Sequence, residues 1–218
     1  FPVGISIGRT NNGETNTIEK AVSDIVSAFK KFEKSKVRNA YYELNISCPN
    51  LRGSVSFYLP ENLKTLLKAG ENLKVKKPVF IKMPIEKTDQ EVVEMLQIIT
   101  TFKYVTGVIF GNLQKDRTDI SFNSTEIATA GKGNFSGKPT FRRSNELIKL
   151  AFRLHGTRLI IIGCGGVFTA ADAYRKIRYG ATMIQMITGM IFEGPQRIAQ
   201  INRGLVDLLK ADGYEHIS

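Results

Sequence analysis

Cysteine is scarce. The 218 residues hold only Cys48 and Cys164, and the two form no closely spaced pair. That excludes a disulfide framework and a structural zinc site, and it fits a reducing compartment. No apolar run approaches the ~20 residues that a membrane-spanning helix needs. The opening Phe1-Pro2-Val3-Gly4-Ile5 is too short for the apolar stretch of a secretory signal and has no basic residue ahead of it. It reads as a strand, so the chain is expected to be a fragment of a longer protein. Acidic residues are in deficit, 20 against 31 Lys and Arg, for a formal charge of +11. Such a balance favours anionic partners: phosphate, carboxylate, nucleic acid or an anionic membrane surface. The basic residues are dispersed, however, and the densest cluster, Arg142-Arg143, is short. A solvated basic surface is therefore favoured over a dedicated nucleic-acid face. Only two histidines occur, His155 and His216, neither in a motif, and both read as surface residues.

What is present is an ordinary globular composition, 42% apolar and 23% charged, in a chain long enough for a sizeable core. Strand-like runs at 2–7, 41–46, 79–82, 107–110, 159–163 and 183–187 alternate with amphipathic runs. These helical runs cover 18–32, 60–73, 88–101, 144–154, 169–179 and 195–209. Thr88 and Glu91 form a capping box at the third of them. Such alternation implies an α/β fold with parallel strands and helical crossovers, and continuous apolar strands imply cover on both faces. An open dinucleotide-binding sheet should carry a glycine fingerprint after its first strand, and Gly4-Ile5-Ser6-Ile7-Gly8 does not match it. Polar and glycine chemistry sits instead after several strands, at Asn45, Lys82, Asn112 and Gly165. That distribution is the signature of a (β/α)₈ TIM barrel, whose site collects from many strand ends. Six units are visible, so residues 1–218 are expected to form a single barrel domain, N-terminally incomplete, with the first two βα units absent. Gln114 to Pro139 is the longest irregular stretch, and loops of that length tend to be functional or mobile.

Five strand-end segments carry candidate chemistry. Asn45-Ile46-Ser47-Cys48-Pro49-Asn50 places two amides, suited to a planar imide or carboxylate, around a thiol. A lone cysteine is usually a packed small hydrophobe; between two asparagines at a strand end it becomes a candidate reactive group. Lys82 ends its strand, where a cation either needs a partner or reaches solvent. Asn112, after Gly111, is either a polar ligand or a turn residue tolerating left-handed backbone. Ser136-Gly137-Lys138-Pro139 is by itself only a turn. Gly163-Cys164-Gly165-Gly166 lets backbone amides approach a phosphate, with the helix starting near Thr169 adding a favourable dipole. With Ile187-Thr188-Gly189 after the next strand it makes the phosphate site common after strands seven and eight of barrels. Cys164 reads as a packed residue.

Glu43-Leu44-Asn45-Ile46-Ser47-Cys48-Pro49-Asn50 closely resembles the active-site loop of the FMN-dependent dihydroorotate dehydrogenases, and the resemblance runs in family order along essentially the whole chain. It implies oxidation of (S)-dihydroorotate to orotate in pyrimidine biosynthesis. The Cys or Ser at the position of Cys48 takes the C5 proton, and the C6 hydride passes to N5 of FMN. A free thiol titrates near ~8.5, so Cys48 needs a positive or hydrogen-bonding environment. The resemblance gives Asn45, Asn50 and Asn112 to the substrate and Asn45 to the cofactor as well. It sets Lys82 against the flavin N1–O2 edge, where a cation stabilises negative charge. Ser6 stands where the family often has Asn near the flavin. Gly111, the Ser136-Gly137 backbone, Gly165, Gly166, Ile187 and Thr188 complete the FMN site. Two departures stand out. The family's Thr-Asn-Thr is Gly111-Asn112-Leu113 here, and its Tyr-Thr or Tyr-Ser pair is Ile187-Thr188, which leaves one phosphate contact to backbone donors.

The electron acceptor is less sharply marked. A cysteine base is typical of members using fumarate or NAD, whereas Gly180–Gln185 and Ile191–Pro195 are closer to quinone-using members. Quinone is the expectation, fumarate the alternative. The quinone site of such members lies in an N-terminal helical extension outside this chain. Further expectations are a homodimer, a cytoplasmic location with peripheral contact at the inner membrane face through that extension, and no nucleic-acid partner. A tRNA dihydrouridine synthase also uses FMN and an Asn-x-x-Cys-Pro segment, but Asn50 and Ser136–Pro139 favour the dehydrogenases. A non-catalytic barrel fragment binding phosphate or nucleic acid is disfavoured by Cys48, Lys82 and Asn112 on three separate strand ends.

Overall fold

A computed structural model of the chain describes residues 2–47, 55–120 and 122–216. The chain divides into two compact units, residues 1–83 with 88–108, and residues 84–87 with 109–218.

The first unit alternates β1 (Gly4–Gly8), α1 (Ile18–Lys34), β2 (Tyr41–Asn45), α2 (Pro60–Glu71), β3 (Val79–Met83) and α3 (Asp89–Thr100). The strands lie side by side in chain order, all parallel. Ala21, Val22, Ile25 and Phe29 recur at helical spacing and form the buried stripe of α1. Thr17 Oγ accepts from Lys20 N and starts that helix. Pro60 opens α2, where its missing N–H costs nothing. The Thr88/Glu91 capping box opens α3, as its sequence requires. These helices cover the sheet face that carries the buried Ile7, Tyr42, Leu44, Val79 and Ile81. The rings of Phe29 and Tyr42 meet edge-on with centroids 5.1 Å apart. Strand geometry sends alternate residues the other way, so Ser6, Gly8, Glu43, Asn45, Phe80 and Lys82 share the opposite face.

A fourth strand, β4 (Val105–Phe110), belongs to the first unit as far as Val108. The second unit then runs through α4 (Ser124–Thr129), α5 (Phe141–His155), β5 (Ile160–Cys164), α6 (Ala170–Arg178), β6 (Met183–Gln185), α7 (Thr188–Glu193) and α8 (Gln196–Ala211). β5 and β6 pair in parallel. Leu147, Ile148 and Ala151 bury the inner side of α5. Val167, Ala173, Ile201 and Leu205 form a second apolar cluster, tying α6 to α8. Parallel strands alternating with helices are the α/β class that the periodicity predicts. No helix among the described residues is long and apolar enough to cross a membrane.

Three local departures have physical causes. The stretch 114–139 is not irregular throughout: it holds α4 and an antiparallel bridge in which Gln114 and Phe135 exchange backbone hydrogen bonds of 2.8 and 2.9 Å. Arg117 ties its far side by donating to the carbonyls of Ala130, Gly131 and Gly133. Helix α5 starts at Phe141 rather than Ser144, because a 3₁₀ turn over Lys138–Thr140 feeds straight into it. The sixth strand ends at Gln185 instead of Ile187, where the backbone turns into the six-residue α7.

Candidate active site

In the first unit the β1–β2–β3 register aligns the candidate residues in two rows. Ser6 stands opposite Glu43 and Glu43 opposite Phe80; Gly8 stands opposite Asn45 and Asn45 opposite Lys82. Ser6 Oγ donates to Glu43 Oε1 at 2.9 Å. A Cβ on Gly8 would come within 3.2 Å of the Asn45 carbonyl, so no side chain covers Asn45 from that strand. Asn45 Oδ1 accepts from Ser47 N at 3.1 Å and from Ser47 Oγ at 3.2 Å. That Asx turn bends the chain out of β2. Cys48 and Asn50 lie outside the described residues. Lys82 is half-buried beside Asn45. Glu43 is a buried carboxylate on the same face, which the sequence reading left without a role.

In the second unit four separate segments interlock. Gly165 and Gly166 have φ of +96° and +71°, left-handed backbone that only glycine adopts without strain. Space forbids side chains there as well: a Cβ would lie 2.6 Å from Thr140 Oγ1 at Gly165 and 2.5 Å from Phe141 Cβ at Gly166. Gly111, which follows β4, lies equally close against the Cys164 carbonyl, and half-buried Asn112 comes after it. Gly137 packs on Thr188, whose Oγ1 donates to Ser136 Oγ at 3.0 Å. Gly189 packs against the Val167 carbonyl. Ser136, Gly137, Gly165, Gly166 and Thr188 are thus gathered in one place. The Ile187 side chain is exposed, so this residue has only backbone to offer.

The α6 N-terminus departs from expectation. Thr169 and Asp172 form a capping box, and Asp172 Oδ2 accepts from Phe168 N, Thr169 N and Lys138 Nζ at 3.0, 3.0 and 3.1 Å. Burial alone would raise the Asp172 pKa, but these hydrogen bonds and the Lys138 charge hold it below the ordinary carboxylate value. This helix end already carries its own anion. By contrast α7 begins at Thr188 without a side-chain cap.

The dihydroorotate dehydrogenase family model matches residues 2–209. The chain belongs to the dihydroorotate dehydrogenase family. Proteins named dihydroorotate dehydrogenase (quinone) from Trichodesmium erythraeum and Cyanothece sp. are each 32% identical to it, across 100% and 99% of this chain. The chain spans 57% of the length of each. Two crystal structures of dihydroorotate dehydrogenase from Eimeria tenella, one with ferulenol and one ligand-free, superpose with TM-scores of 0.85 and 0.86. Both are 22% identical, and 98% of this chain covers 60% and 61% of theirs. At that identity the likeness is one of fold. The fold is a TIM barrel, and sharing part of it bears out the barrel expectation.

The family is flavin-dependent in general. Gly165 is half-buried and Gly166 buried; both adopt left-handed backbone closely backed by Thr140 and Phe141, which leaves room for main chain and none for a side chain. One further residue escaped the sequence reading. Lys176 of α6 is fully buried, and its Nζ donates to Ser144 Oγ at 2.6 Å and Asn145 Oδ1 at 2.9 Å. Burial pushes its pKa down to about 8 against weaker opposing pulls from Cys164 and Asp172. The signal was present in the spacing: Ala173 and Lys176 lie three apart, and both are buried on α6.

Proposed function

We propose that this chain carries the cofactor and substrate residues of a dihydroorotate dehydrogenase that oxidises (S)-dihydroorotate to orotate with FMN. The observation that carries the reading is the interlocking of Ser136–Gly137, Gly165–Gly166 and Thr188 with Gly111 alongside, in a chain that matches the family from residue 2 to 209.

The backbone at Gly137, Gly165, Gly166 and Ile187–Thr188 would hold the FMN phosphate, with Ser136 and Thr188 hydroxyls beside it. Lys82, Asn45, Ser6 and Gly111 are assigned to the flavin ring. FMN supplies the hydride acceptor when bound. Cys48 takes the proton from C5 of the substrate, and the amides of Asn45, Asn50 and Asn112 orient the planar ring through paired donors and acceptors. The Lys82 ammonium supplies positive charge where negative charge develops. A quinone is the proposed final acceptor, supported by the printed names of the relatives. Fumarate is the competing acceptor. A quinone acceptor would require peripheral contact with a membrane from the cytoplasmic side, and a homodimer is part of the same proposal.

The test is anaerobic mixing of the FMN-loaded protein with dihydroorotate. Loss of flavin absorbance is expected, with recovery on adding a short-chain quinone and little on adding fumarate. Flavin that stays oxidised in excess dihydroorotate would overturn the reading. Recovery with fumarate alone would overturn the acceptor.

A further inference from the structure

We infer that Lys176 is a positioning residue for the cofactor phosphate: a buried positive charge that sits behind the end of β5 and the Gly165–Gly166 turn, packed against that turn through Ser144. The inference rests on the FMN reading above and adds to it a residue outside the loops that touch the cofactor.

The geometry is a short relay. Lys176 Nζ lies 2.6 Å from Ser144 Oγ. That same oxygen is 3.3 Å from where a Cβ on Gly165 would stand, and Ser144 Cβ is 3.1 Å from the corresponding point on Gly111. The Ser144 side chain therefore lies between the ammonium and both glycine segments, packed against each, with its hydroxyl donating to the Phe141 carbonyl at 3.1 Å. The lysine stem runs beneath β5, with Cδ 3.0 Å from the Cβ position of Gly163. Any residue larger than glycine at 163 would displace it.

The electrostatics call for an anion. Both hydrogen-bond partners of this fully buried ammonium are neutral, and a buried charge is costly without a compensating one. Asp172, one turn earlier, is engaged by Lys138 and by the N–H groups of Phe168 and Thr169. Two further cations stand with Lys176 around the Phe141 ring: Lys176 Nζ at 5.1 Å, Lys138 Nζ at 5.7 Å and the Arg175 guanidinium at 5.7 Å from its centroid. Phe141 is the residue against which Gly166 packs. Lys138 and Arg175 are exposed, so salt screens them; Lys176 alone is buried near the two glycines, where salt screens it weakly. A phosphate monoester dianion at those glycines is the ligand this arrangement fits.

Riboflavin shares the isoalloxazine of FMN and lacks the phosphate, so the pair separates an electrostatic role from a merely structural one. Apoprotein is titrated with each, following quenching of flavin fluorescence, for the unaltered chain and for Lys176→Met. FMN affinity should fall about tenfold or more in the variant, with riboflavin affinity unchanged. Equal weakening of both ligands, or no loss for FMN, would overturn the inference. Should the variant not fold, the unaltered protein gives the answer. Between about pH 7 and 9 the phosphate is already dianionic and ordinary lysines stay charged. The groups acting on Lys176 there are Cys164 of β5, Asp172 and Arg175 of α6, and the neutral Ser144, Asn145 and Phe141 of α5. The FMN-to-riboflavin preference should decline across that range; a flat ratio would also overturn the inference. If the unaltered protein binds neither flavin, the FMN reading itself fails, which is a distinct result.

Discussion

Asn45 and Lys82 stand opposite each other in the parallel β2–β3 ladder, on the sheet face turned away from the helices. An amide and an ammonium are thereby held side by side by backbone register rather than by loop conformation. Lys82→Ala should leave the fold intact, because the side chain is only half-buried. It should slow flavin reduction by dihydroorotate by about 10²-fold, the usual cost of losing a charge-stabilising group. Stopped-flow reduction at an unchanged rate would count against the assignment.

Cys48→Ala should still bind FMN but lose dihydroorotate oxidation by about 10²–10⁴-fold, the range for a positioned base. The pH profile adds an independent readout. A thiol base makes kcat/KM rise with pH toward its titration, near ~8.5 when unperturbed. A profile without that rise would exclude the thiol even if the alanine variant were inactive for other reasons.

Gly165→Ala tests the phosphate loop. The φ of +96° and the 2.6 Å approach to Thr140 Oγ1 mean that a methyl group meets both strain and a clash. A loss of about 1–3 kcal/mol in unfolding free energy is expected, with FMN affinity falling further. Gly131→Ala is the control, since a Cβ there meets nothing within 4 Å. It should stay within about 0.5 kcal/mol of the parent. Urea midpoints for the two variants decide the matter, and equal shifts would remove the special status of Gly165.

The sequence was most legible where periodicity was long. All six strands and the six longer helices lie close to the expected ranges, because an apolar stripe over a dozen residues has one solution. Short elements were not legible. Helix α7 is six residues long, with Ile191 and Phe192 exposed, and Met186-Ile187 just ahead of it read as the tail of a strand. The site glycines were legible because consecutive glycines at a strand end have few other uses. The capping box at the α6 N-terminus was legible in the spacing of Thr169 and Asp172 but was not drawn out, and it places a carboxylate at the helix end from which a favourable dipole was expected. Lys176 was hidden among Arg175 and Arg178, where a solvated basic face is the ordinary reading, and Glu43 was hidden in an apolar strand. Burial of a single charged residue is decided by tertiary contacts such as Ser144 and Asn145, which lie about thirty positions away.

The buried lysine also makes stability depend on pH in an unusual direction. Its pKa falls from 10.5 to about 8 on folding, chiefly through burial. Below about pH 8 both states carry the proton, and the folded state bears the full cost of the buried charge, on the order of 3 kcal/mol. Between that point and about 10.5 the unfolded chain holds the proton more tightly, so stability rises with pH. Tyr42 and Tyr104 act in the opposite sense above their ordinary value near ~10. Burial, aided by Glu33, pushes Tyr42 up to about 12, and burial beside Glu71 raises Tyr104 further. Their unfolded forms ionise first, which favours unfolding. Apoprotein stability should therefore climb from about pH 8 and turn over near 10, measured as urea midpoints over a pH series. Lys176→Met should flatten the climb and leave the apoprotein at neutral pH no less stable than the parent, since replacing a buried charge with an apolar group of similar length is often neutral or stabilising. A parent curve that falls steadily from pH 7.5 to 10 would show that Lys176 is fully compensated in the folded state.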